Sequence, residues 1–335
     1  MGTPAWAWAA FMTLVIGLMV LDLGVFYKKS HVIEMGESVR LYAFYASLGL
    51  LFGLFMWWWR GANDAFLYLT GFVIEQSLSM DNVFVMAIIM NYFAIPREYQ
   101  HRVLFWGIIG VIVMRGAAVF AGAALINEFH WILYVFAVFL VFTGVKMIKD
   151  GDSEYDVASN PALKLMRKYF HITHGLRGDR FMVKEPDIKG ILRWHITPLL
   201  VALIVIDVAD IIFAVDSIPA IFAITTDPFI VFTSNIFAVL GLRALFFALS
   251  ALIDKFHYMK YALALVLVFI GSKILIADLF HIGHMSPAWS LGITLAILGG
   301  GVVTSMVRPA PAAHNVHVIE SDPEGEAAAG EKPSA

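Results

Sequence analysis

Apolar residues run along this chain in stretches of about twenty, separated by short polar breaks, and not in the alternation of period two that marks strands. The runs predict nine helices, at 4–26, 39–59, 65–92, 103–126, 131–149, 195–224, 228–252, 261–280 and 287–306. At 1.5 Å rise per residue, each is long enough to cross a hydrocarbon core of roughly 30 Å. Backbone in lipid must satisfy its own hydrogen bonds, which leaves helices or closed barrels, and the alternation of a barrel is missing. The pattern therefore predicts an all-α polytopic membrane protein. Residues 150–194 read as a polar, basic cytoplasmic loop with too little apolar periodicity for a core of its own, and 308–335 as a disordered tail rich in Pro, Ala, Gly and Glu.

Composition strengthens this picture. Of 335 residues, 60% are hydrophobic and 15% charged, where a soluble domain carries about a quarter charged. The net charge of −3 says little about partners, and nothing suggests nucleic acid. The charge distribution says more, because Lys and Arg flanking membrane spans are retained on the cytoplasmic side. Lys28, Lys29, Arg40, Arg97, Arg102, Lys255, Lys260, Arg308 and the basic loop fall on one side, and Arg60 on the other. The N-terminus is expected outside and the C-terminus in the cytoplasm. With no cysteine, thiolate metal sites and thiol redox chemistry are excluded.

Two parts of the chain repeat. Glu75 to Val83 carries acids at Glu75 and Asp81, and Asp210 to Ile218 carries them at Asp210 and Asp216, both six apart. The following helices each hold one mid-span arginine, Arg115 and Arg243. Then Leu125–His130 parallels Leu252–His257, and Val141-Phe-Thr-Gly144-Val-Lys146 parallels Val268-Phe-Ile-Gly271-Ser-Lys273. Each copy holds three spans, an odd number, so the second must enter the membrane inverted, as in many transporters. The expected organisation is two N-terminal helices (1–64), repeat one (65–149), the loop (150–194), the inverted repeat two (195–280), a last helix (281–307) and the tail (308–335).

Ionisable groups at mid-membrane cost several kcal/mol each unless paired or hydrated, roughly 2.5–3.5 by insertion scales. Glu75, Asp81, Asn82, Asp210 and Asp216 are the candidate metal ligands, with Asp22, Ser79, Arg115, Asp207, Ser217, Asn235 and Arg243 as secondary or coupling residues. Carboxylate, amide and hydroxyl oxygens suit hard cations such as Mg²⁺, Ca²⁺ or Mn²⁺. Six residues rotate about 600° on a regular helix, leaving each acid pair about 120° apart. That spacing predicts a local break at Ser79–Asp81 and near Pro219, or two separate cavities. Inversion predicts two levels, Asp81 with Asp210 and Glu75 with Asp216. The plainer alternative is that the acids neutralise Arg115 and Arg243 as buried ion pairs.

Longer motifs carry a resemblance. Leu21-Asp22, Glu75-Gln-Ser-Leu-Ser-Met-Asp81-Asn82-Val83-Phe84, Gln100-His101-Arg102, Asp207-Val-Ala-Asp210-Ile-Ile-Phe-Ala-Val-Asp216-Ser-Ile-Pro219 and Leu240-Gly-Leu-Arg243 resemble the TerC family over roughly residues 15–280. That family is named for tellurite resistance and is similar to LysE-type exporters. The resemblance implies a bacterial inner-membrane protein of a family whose members export Mn²⁺, with Glu75, Asp81, Asp210 and Asp216 on the family's membrane acids. Asp207 departs from the family pattern, which has glutamate there.

Together these readings point to a secondary transporter and not an enzyme, exporting Mn²⁺ as its transported ion, with proton coupling open and no permanently bound cofactor. Ca²⁺/H⁺ exchange is the first alternative. An assembly protein binding partners through loop 150–194 is the second. An intramembrane aspartyl protease is disfavoured, since no Gly-x-Gly-Asp occurs.

Overall fold

The computed structural model describes residues 3–21, 35–129, 131–150, 157, 160–173, 175–186, 192–249, 258–279 and 286–307. The side chains of Asp81 and Asp216, all of Asp22, and the tail from Arg308 lie outside that description.

Among the described residues, each of the nine apolar runs carries helix. The elements are α1 (Ala5–Leu21), α2 (Met35–Arg60), α3 (Ala62–Tyr92), α4 (Arg97–Glu128), α5 (Ile132–Asp150), α6 (Pro161–Tyr169), β1 (Met182–Pro186), β2 (Leu192–Ile196), α7 (Pro198–Phe222), α8 (Pro228–Leu240), α9 (Leu242–Leu249), α10 (Met259–Leu279) and α11 (Pro287–Val307). Among the described residues, seven segments are long and apolar enough to cross a membrane, with α8 and α9 counted together as Pro228–Ala248. Proline opens α7, α8 and α11, where its missing N–H is no loss and its fixed φ suits the first turn.

Helix α8 is apolar almost all round, and every residue from Phe229 to Leu240 is buried. Such a helix belongs at the centre of a bundle, and α2, α3 and α4 surround it. Outward faces carry bare apolar side chains, among them Trp58, Leu54, Val138, Phe142 and Val303. That surface suits lipid, which asks only that the backbone be satisfied internally.

At the end bearing Arg60, Asp227 caps α8 by accepting from the Phe229 and Ile230 amides at 2.8 and 3.4 Å. Its other oxygen accepts from Arg60 at 2.5 Å, and Arg60 also pairs with Asp64 at 2.7 Å. Asp227→Ala removes a cap and a partly exposed ion pair, for an expected loss of about 1–2 kcal/mol. Thermal melting in detergent should show a fall in Tm with no change in oligomeric state.

The closest helix pair is α5 with α10. A Cβ added to Gly144 would lie 2.6 Å from the Ala264 carbonyl oxygen and 2.7 Å from Val268, and one added to Gly271 would lie 2.6 Å from the Ala137 carbonyl oxygen and 2.9 Å from Val141. The contacts are reciprocal and run antiparallel. Glycine is required at both places because backbone meets backbone.

Three expectations are corrected. The loop 150–194 is not a bare linker, since α6 and the antiparallel hairpin β1–β2 form a folded cap. Leu163, Met166 and Ile196 from the cap join Met90, Ile95 and Leu199 at the ends of the long helices. Asn160 caps α6 through the Ala162 amide at 2.8 Å, and the Thr197 hydroxyl donates to the Arg180 carbonyl at 2.7 Å. Arg102 pairs with Asp179, and Arg177 with Glu185, whose carboxyl the guanidinium holds below the usual carboxylate range. Second, the helix expected at 195–224 starts at Pro198, because His195 and Ile196 complete β2. Third, α3 and α7 are continuous through Ser79–Asp81 and Pro219, which falls in the last turn of α7. The break comes instead at Gly241, between α8 and α9, two residues before Arg243.

Candidate metal site in the helix bundle

Glu75, Arg115 and Asp210 each sit within about a turn of the midpoint of α3, α4 and α7, and they meet in one buried cluster. Arg115 is 1% exposed, Glu75 0% and Asp210 2%. The guanidinium forks onto Asp210, with Nε donating to Oδ2 at 2.9 Å and Nη2 to Oδ1 at 2.9 Å. Its Nη1 donates to Glu75 Oε1 and to Asn235 Oδ1, the latter at 3.1 Å. Asn235, on α8, returns a hydrogen bond from Nδ2 to Glu75 Oε2 at 3.2 Å. Asn82 Nδ2 donates to Asp210 Oδ1 at 3.1 Å. All four carboxylate oxygens thus have an internal donor.

The expected pairs, Asp81 with Asp210 and Glu75 with Asp216, each include a side chain outside the described residues. Glu75 and Asp210 do not stand apart, because one guanidinium spans both. The pairing of acids with Arg115, weighed as the plainer alternative, is what the resting cluster shows. Asn82 and Glu75, seven residues apart on α3, do share the face turned to α7. Asn235 is part of the cluster itself. Asp81 and Asp216 lie on the helices at the expected register, but their side chains are outside the described residues, as is Asp22.

On α3 and α7, several buried oxygens have no hydrogen-bond partner among the described residues: the hydroxyls of Ser77, Ser79 and Ser217, and Oδ1 of Asp207. Buried polar atoms left unpaired are costly and call for a reason. Asp207 rests against two glycines of α4, Gly107 and Gly110. A Cβ on Gly110 would lie 2.6 Å from Asp207 Oδ2, and one on Gly107 would lie 3.6 Å from Oδ1. Arg243 is buried on α9 and lines a narrow gap with Met86, Gly107 and Ile206.

A larger apolar cavity of about 420 Å³ lies between α4, α5 and α7. Met114, Ala118, Phe136, Phe139, Val215 and Pro219 contribute to its wall, and Arg115 and Asp210 reach it. Among the described residues no three His, Cys, Asp or Glu side chains converge as a ready metal site.

His171 lies in extended chain, its carbonyl accepting from Ile196 N at 3.0 Å, and its ring meets His195 at 5.6 Å between centroids. His174, His281 and His284 lie outside the described residues.

An all-α bundle of apolar helices around a buried polar centre defines a polytopic integral membrane protein. The family model described as "Integral membrane protein TerC family" matches residues 60–311, and the chain belongs to that family. It is 45% identical over 303 residues to an uncharacterized membrane protein of Rickettsia bellii, covering 90% of this chain and 97% of that protein. It is 44% identical over 307 residues to another from Myxococcus xanthus, covering 92% and 93%. A protein of Photorhabdus laumondii named as a candidate membrane-bound redox modulator, Alx, is 43% identical over 306 residues, covering 89% and 93%. No solved structure matches the chain.

Proposed function

We propose that this protein exports divalent metal ions, Mn²⁺ foremost, across the inner membrane of a bacterium, with its N-terminus outside and its C-terminus in the cytoplasm. The observation that carries this reading is the convergence of Glu75 and Asp210 from two helices at the middle of the bundle, on the same helices as buried oxygens of Ser79, Ser217 and Asp207 that have no hydrogen-bond partner among the described residues. Such groups are costly in lipid, and a cation would supply what they lack. The ligands are all oxygen, which favours a hard ion over copper or zinc. Asn82 and Asn235 add amide oxygens, and Asp81 and Asp216 extend the same helices. Relatives named for redox modulation suggest a different role, yet a chain without cysteine has no thiol route to it.

Purified protein in vesicles, loaded with Mn²⁺, Ca²⁺ or Mg²⁺ in turn, tests the proposal. Mn²⁺ flux should exceed the other two. Glu75→Gln and Asp210→Asn should each lower it by at least about tenfold, the cost of one lost charged ligand of some 1.4 kcal/mol or more. Unchanged flux in both variants removes this cluster from the transport path.

A further inference from the structure

We propose that Arg115 is a tethered substitute for the transported ion, closing the empty site so that the carrier can return without a co-ion. The inference rests on the metal-export reading above. Its ground is the bonding of the cluster: every carboxylate oxygen of Glu75 and Asp210 already accepts a hydrogen bond, and one guanidinium, on Glu75 Oε1 and on both oxygens of Asp210, occupies the side on which a cation shared by the two acids would sit. Metal and guanidinium therefore compete for the same oxygens.

Physical chemistry makes the substitution useful. Two bare carboxylates in a dry site cost several kcal/mol, so an empty carrier holding them unpaired faces a high barrier to reorientation. Arg115 removes that barrier from within the chain. A guanidinium is always charged and weakly hydrated for its charge, and its fork fits a carboxylate edge, as it does at Asp210. The cavity of about 420 Å³ beside it provides a place to withdraw. Phe136 and Phe139 line that space, and an aromatic ring is a favourable neighbour for a guanidinium displaced when metal takes the acids.

The kinetic consequence separates this role from a structural one. In the wild type, net efflux of Mn²⁺ into metal-free buffer at equal pH on both sides should proceed about as fast as exchange against external Mn²⁺. In Arg115→Gln the empty limb is blocked while the loaded limb is not. Net efflux should fall by at least about tenfold relative to the exchange of labelled Mn²⁺ measured on the same folded variant. With its competitor gone, the variant should also bind Mn²⁺ more tightly, seen as a lower half-saturating concentration. Arg115→Lys keeps the charge and should retain measurable net efflux.

The wild-type measurement stands whether or not the glutamine variant folds. If wild-type efflux requires external Mn²⁺ or an inward proton gradient, the proposal is overturned. It is also overturned if folded Arg115→Gln keeps wild-type net efflux, or loses net efflux and exchange equally. If the wild type moves no divalent ion in either mode, the export reading itself falls and this inference with it.

Discussion

Gly271→Leu is expected to prevent the α5–α10 pair from closing, and to leave little folded protein in detergent. The glycine meets the backbone of Ala137, which cannot rotate away as a flexible side chain would. Even alanine would put its Cβ 2.6 Å from that carbonyl oxygen, so the helices must separate, at an expected cost of about 1–3 kcal/mol. A leucine adds bulk that no small separation accommodates. The same holds for Gly144 against Ala264. Because both glycines face each other's helix across one antiparallel contact, a single separation relieves both. Gly144→Ala with Gly271→Ala should therefore cost clearly less than the two single changes added together. Thermal melting of the two singles and the double gives the cycle. Full additivity would show that the two contacts yield independently.

The residues at this contact were visible in the sequence as a repeat, but not as a contact. Val141–Gly144 and Val268–Gly271 stood out as matching strings, and periodicity alone cannot say which surfaces of two helices meet. Nine apolar runs, by contrast, were legible because lipid demands a continuous run of about twenty residues, and that constraint is written in composition. The cap over 160–196 was hidden for the opposite reason. It rests on five-residue strands and a nine-residue helix, too short and too charged for a period to emerge.

The acids were legible as a set and misread in their geometry. The six-residue spacing of Glu75 and Asp81 on one helix implies either a break in α3 or two separate cavities. The structure brings together members of different helices, Glu75 from α3 and Asp210 from α7, through a side chain long enough to span them. No bend is then needed. Arg115 and Asn235 were noted as secondary residues, yet they complete the bonding of both carboxylates.

That bonding sets the second large effect. Arg115→Met is expected to destabilise the protein by about 3–5 kcal/mol, because two buried carboxylates lose the one cation that serves both. If charge is the cause, removing the acids as well should restore what the single change took. The triple change Arg115→Met, Glu75→Gln, Asp210→Asn leaves no buried charge in the cluster. Asn235 and Asn82 can still hydrogen-bond the new amides, and methionine fills much of the arginine stem's volume. Its melting temperature should return close to that of the wild type, and exceeds it only if the original pairing failed to offset its own desolvation. A triple variant as unstable as Arg115→Met would mean that the packed stem of Arg115, and not its charge, holds α4 to α3 and α7. The restored stability should come without transport, since the same three side chains would then lack both the ligands for a metal and the cation that replaces it. Stability recovered and flux still absent would separate what holds this bundle together from what lets it carry an ion.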